Sequence, residues 1–185
     1  MYAVSNRQIS EAANQGNNAA ACYHFGTRTD LLRAIESKHR APIEELRGQM
    51  LDRIAGSTEL RDWVGTLVCP LTDHLAAIGN PSWYARFAAQ AMADPNYRHV
   101  VTKDALTSPQ LVQTMNGINN CLPDLPKRVR AQRIAMARNL LMHTCAEREG
   151  ELAERGPNAG SGWPIEAEGL IDAIVGLWQE PDNHA

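Results

Sequence analysis

The chain reads as an all-α protein, on three observations. Alanine, leucine, glutamate and arginine are abundant, whereas Phe, Trp and Tyr together make up only 5%. That balance favours helices over sheets. Apolar residues recur at intervals of three and four through most of the chain, the period of one helix face. No run alternates apolar and polar residues convincingly enough to read as a strand. At 185 residues and 44% hydrophobic content, the chain can bury a sizeable core.

The elements follow in order. Ile9, Ala12 and Ala13 give a short apolar helix face, and Asn14-Gln15-Gly16-Asn17-Asn18 breaks it with turn residues. Ala19 to Phe25 resumes as a second short helix, stopped by Gly26 and Thr27. Thr27 or Thr29 can cap a long helix through Leu31, Leu32, Ile35, His39, Ile43, Leu46 and Met50. Pro42 predicts a kink or short break in it, and Gly56-Ser57-Thr58 ends the segment. Trp63, Leu67, Leu71, Leu75 and Ile78 mark the next helix, which Pro70 should bend. Asn80-Pro81 predicts a helix start, with Asn80 as cap, and Asp94-Pro95 an end. Ser108-Pro109 repeats the start signal before Leu111, Val112, Met115 and Ile118. After a proline-rich linker a long helix is expected over 126–149. A Gly-rich loop over 156–162 precedes a last helix over 164–179.

Charge and cysteine content exclude several classes. Net charge is −3. It divides as +2 over residues 1–40 and −5 over the rest, which suits a weakly basic DNA-reading head on an acidic body, or is ordinary scatter. Cys22, Cys69, Cys121 and Cys145 are widely spaced without a C-x-x-C, so no disulfide or zinc framework is implied and a reducing cytoplasm fits. No apolar run reaches membrane-spanning length, and no signal peptide is apparent.

Two short helices joined by a tight Gly/Asn turn form a helix-turn-helix signature. The string Tyr23-His24-Phe25-Gly26-Thr27-Arg28, followed by Asp30-Leu31-Leu32, resembles the signature of TetR-type transcriptional regulators. Ser5-Asn6-Arg7-Gln8-Ile9 with Ala12-Ala13 fits the same pattern. The resemblance covers about the first 35 residues, and beyond them only the all-helical plan and length. It implies a head over 1–40 and a ligand-binding and dimerisation body over 41–185. The family carries a full helix before the one that starts at Ser5, where this chain has only Met1-Tyr2-Ala3-Val4. An incomplete head is therefore expected, with Ile9, Phe25 and Leu31 short of apolar cover.

A helix that enters the major groove needs short polar and small side chains near its start. Asn17, Asn18 and Ala19, with Ala20, supply them. Asn can pair with adenine, and an Ala methyl can touch a thymine methyl. By resemblance Tyr23, His24 and Arg28 form a phosphate clamp, with Ser5 and Arg7 also touching phosphate. Cys22 stands where the family commonly has tyrosine. Alternatively Tyr23 is core, and His24 and Arg28 a solvated edge. Phe25 is expected in the core on either reading.

Trp63, His74, Trp83, Tyr84, Phe87, Gln90, Met115 and His143 fall on the middle helices. Aromatics and methionine with a few polar groups can line a small-molecule cavity. Residue by residue, most of them also suit plain core. The resemblance implies an effector pocket among them, and a dimer through the last two long helices. Leu140, Leu141, Ile171, Ile174, Leu177 and Trp178 would form that interface, or would simply be core. No motif for catalysis, metal or a cofactor is present. His143 and Glu147 share a helix face but lack a third ligand.

The expectation is thus an all-α homodimeric regulator that binds double-stranded operator DNA until a small apolar or aromatic molecule releases it. Pro42 is a hinge candidate in the helix joining head to body. One rival is a dimeric helical ligand-binding protein without DNA binding. Another is a small-molecule enzyme on a helical bundle.

Overall fold

Local hydrogen bonds set the first helices. The computed structural model describes residues 5–14, 20–105, 107–122, 124–156 and 162–182. Helix α1 (Asn6–Ala12) opens on a reciprocal cap: Ser5 Oγ accepts from the Gln8 amide, and the Gln8 side chain accepts from the Ser5 amide. Helix α2 (Ala20–Phe25) stops at Gly26, whose φ of 74° disfavours any Cβ. Thr27 and Asp30 then repeat the reciprocal cap on α3 (Arg28–Arg53). Hydrogen bonds from Thr27 hold the Asp30 carboxyl below its usual range.

Six further helices follow: α4 (Leu60–Ile78), α5 (Tyr84–Ala93), α6 (Arg98–Ala105), α7 (Pro109–Asn120), α8 (Lys127–Arg155) and α9 (Trp163–Gln179). The fold is all-α, with nine helices and no strand among the described residues. Helix α4 is central. It packs against α3, α7 and α9, and it buries Leu60, Val64, Val68, Leu71 and Leu75. Helix α5 lies on α8, which in turn touches α9.

Both prolines inside helices are accommodated. Helix α3 continues through Pro42 without the short break that the proline allowed for, and its later turns bury Ile43, Arg47 and Leu51. Helix α4 continues through Pro70, which has no N–H to offer the Thr66 carbonyl. Arg47, itself buried, supplies the missing donor. Its guanidinium bonds the Thr66 carbonyl while its Nε donates to Glu44 Oε1 at 3.0 Å.

Two boundaries and one whole helix differ from the sequence reading. Helix α5 begins at Tyr84 rather than at Asn80-Pro81. Its cap comes from α8: Glu149, 2% exposed, accepts from Ser82 Oγ at 2.6 Å and from the backbone N–H groups of Ala85 and Arg86 at 3.1 and 3.0 Å. Asn80 instead donates to the carbonyls of Leu152 and Gly156, closing the C-terminus of α8. Helix α8 runs on to Arg155, where Gly156 (φ 72°) ends it. Helix α6 has no counterpart in the sequence reading, since β-branched Val100, Val101 and Thr102 are weak helix formers.

At Gly117 of α7 the Trp63 ring of α4 takes the place of a side chain. A Cβ there would overlap the Trp63 ring, and that ring is fixed by its indole N–H donating to the Ser57 carbonyl at 3.0 Å. Gly117→Ala is expected to destabilise the chain by about 1–3 kcal/mol through overpacking. Chemical denaturation measures this. An unchanged midpoint would mean that the ring moves aside freely.

Candidate functional site

Helix α2 presents an aromatic and an imidazole to solvent. Tyr23 is 84% exposed, and its ring meets His24 edge-on with centroids 5.4 Å apart. His24 is also exposed. Arg7 is exposed and pairs with Glu11 at 2.7 Å. Ser5 is engaged in the cap of α1. The Cys22 thiol donates to the Gly26 carbonyl at 3.2 Å. Arg28 sits at the start of α3 with its guanidinium carbon 5.8 Å from the centre of the Tyr97 ring. Asn17, Asn18 and Ala19 lie outside the described residues.

Phe25 corrects the sequence reading. It is 43% exposed rather than core. Helix α2 packs chiefly on α1 and α3, and their contact leaves much of this ring uncovered.

The middle helices gather some of the expected residues. Tyr84 stacks on His39 with ring centroids 4.0 Å apart, and His74 meets both rings edge-on. His39 Nδ1 and His74 Nε2 are hydrogen-bonded at 2.9 Å. Phe87 stacks beyond Tyr84 at 6.4 Å. Burial depresses the pKa of both histidines and raises that of the Tyr84 hydroxyl. His39 was legible only as one position in the apolar stripe of α3. A histidine inside such a stripe is the signal that could have drawn it into the site.

The remaining expected residues lie elsewhere. Trp83 is 66% exposed and stacks under the Arg86 guanidinium at 4.2 Å. Trp63 is held between α4 and α7, on the Gly117 side, and Met115 packs partly buried against the core. Gln90 and His143 are exposed. A cleft of about 290 Å³ lies between α3 and the start of α7, where Arg40, Glu44, Ser108 and Gln110 are among its lining residues. None of the residues read as effector-lining borders that cleft.

On the late helices, Leu141, Ile171, Ile174 and Trp178 are buried in the chain's own core. Leu140 is exposed and Leu177 half-buried. Met136 on α8 and Ile165 on α9, the latter 82% exposed, also face outward. Open space surrounds Gly169 and Gly176. Arg61 of α4 bridges to Glu168 and Asp172 of α9.

No family model, curated protein or solved structure matches the chain. Among the described residues, no three His, Cys, Asp or Glu side chains are grouped to hold a metal ion. No helix among them is long and apolar enough to cross a membrane. Cys145 is fully buried, and burial pushes its thiol up to about 12, so it is a poor nucleophile at neutral pH.

Proposed function

We propose that the chain is a homodimeric, DNA-binding transcriptional regulator of TetR type, a repressor released when a small apolar or aromatic molecule binds its body. The observation that carries this reading is the exposure of Tyr23 beside His24 on α2. A tyrosine placed this openly contributes little to any core, and next to an imidazole it suits contact with a polyanion. The short helices α1 and α2 preceding a capped α3 support the same reading. The outward-facing Leu140, Met136 and Ile165 support a second copy packing on α8 and α9. Effector control requires a ligand that binds one of two arrangements of head and body more tightly.

The test is selection of bound duplexes from a random pool by the full chain, followed by affinity measurement across salt concentration. The expected result is a specific duplex whose affinity falls with salt. Tyr23→Ala should weaken binding about tenfold, the worth of one hydrogen bond to a charged group, while the thermal midpoint stays put because the side chain is exposed. Failure to enrich any duplex would sink the reading and leave the body as a ligand-binding module. So would a Tyr23→Ala variant that binds as tightly as the parent.

A further inference from the structure

We propose that the His39–His74 pair is a proton-operated latch that holds α3 against α4 and α5 and lets go on acidification. The two rings come from different helices and touch through one hydrogen bond of 2.9 Å. His39 is further clamped face to face on Tyr84 of α5. Three helices therefore meet on a contact made of two titratable groups.

Proton counting gives the mechanism. With both rings neutral, one ring N–H donates to the lone pair of the other. A first added proton, on the far nitrogen of the donor ring, leaves that bond intact. A second proton consumes the accepting lone pair. Two N–H groups and two positive charges then face each other across the same gap, in a partly buried site where water screens them poorly. The contact must open, and the mobile partner is α3, because α4 is buried along most of its length at the centre of the fold.

The surrounding charges set the threshold. From α3, Lys38 opposes protonation of His39, and Glu36 and Arg40 lie nearby as an ion pair at 3.7 Å. From α8, the Glu149 carboxylate favours the charged form of His39. From α5, Tyr84 faces the pair as a neutral hydroxyl with its pKa raised by burial. From α4, Asp73 adjoins His74 in sequence and is itself held above its usual carboxylate range by burial. Desolvation is the largest influence on both imidazoles and keeps them below their ordinary value of 6.5. The unfolded chain therefore takes up protons first. Stability from the pair is complete above about pH 6.5 and is lost as the pH falls from there toward the folded values.

The experiment compares the full chain with its His39→Gln/His74→Gln variant, in which glutamine keeps a hydrogen bond but cannot titrate. Amide hydrogen exchange is followed between pH 7.5 and 5, corrected for intrinsic rates, together with the thermal midpoint. In the parent, protection over residues 35–43 should fall on acidification more than protection over 64–75. The midpoint should drop by roughly 3–5 °C for each pH unit by which burial depresses a histidine. In the variant the selective loss over residues 35–43 and the histidine share of the midpoint's fall should be absent, whatever its stability at neutral pH. A purely structural role would give a constant loss with the parent's pH dependence unchanged, which would overturn the latch. Unchanged α3 protection in the parent would overturn it alone, so a variant that fails to fold does not leave the question open. The readout involves no DNA and is independent of the proposed regulatory role.

Discussion

Glu149→Ala is expected to cost about 3–5 kcal/mol, the range for removing one partner of a buried charged pair. The carboxylate is 2% exposed and serves four donors: Ser82 Oγ, the Ala85 and Arg86 amides, and Arg86 Nε at 3.2 Å. Alanine would leave the first amides of α5 without their acceptor, and would leave Arg86 Nε, on a side chain 28% exposed, without its ion-pair partner. Glu149→Gln should recover part of the loss, because one oxygen still accepts while the new NH₂ group opposes Arg86. Urea denaturation of the two variants checks this. A loss below about 1 kcal/mol for alanine would mean that the N-terminus of α5 finds water or another acceptor.

Arg47→Met is expected to cost about 2–3 kcal/mol, since it strips the donor from a buried carbonyl. The cause lies at Pro70, and a double-mutant cycle exposes it. With Pro70→Ala in place, residue 70 regains an N–H for the Thr66 carbonyl, and Arg47→Met should then cost about 1–2 kcal/mol less. Equal costs in the two backgrounds would show that Arg47 acts through Glu44 and packing rather than by repairing α4. The four denaturation curves needed are of one kind and directly comparable.

What the sequence disclosed was what local rules govern. The helical period, the Ser108-Pro109 start, the Asp94 end of α5 and the long last helices all follow from residues a few positions apart. Helix ends closed by distant side chains were opaque. Asn80 looked like a cap for its own helix, yet it serves the Leu152 carbonyl 72 positions away. Arg133, on the next-to-last helix, closes the end of α9 through the Trp178 carbonyl at 3.0 Å. No periodicity marks such a contact, because its partner is a backbone atom of any residue type. The candidate site was partly legible for a similar reason. Three aromatics in five residues pointed to Trp83, Tyr84 and Phe87, but nothing local says that Tyr84 turns inward onto His39 while Trp83 turns out to Arg86.

Helix α3 also sets a mechanical scale. Its 26 residues form one continuous helix, about 39 Å long at 1.5 Å per residue. His39 grips that helix roughly 17 Å from the end that carries α2. A rod turns angle into displacement: a tilt of about 10° at the grip sweeps its tip through some 3 Å, on the same geometry. Hydrogen bonds fail over well under 1 Å of stretch. A small rotation of α3 at His39 would therefore displace Tyr23 and His24 by more than a hydrogen bond tolerates.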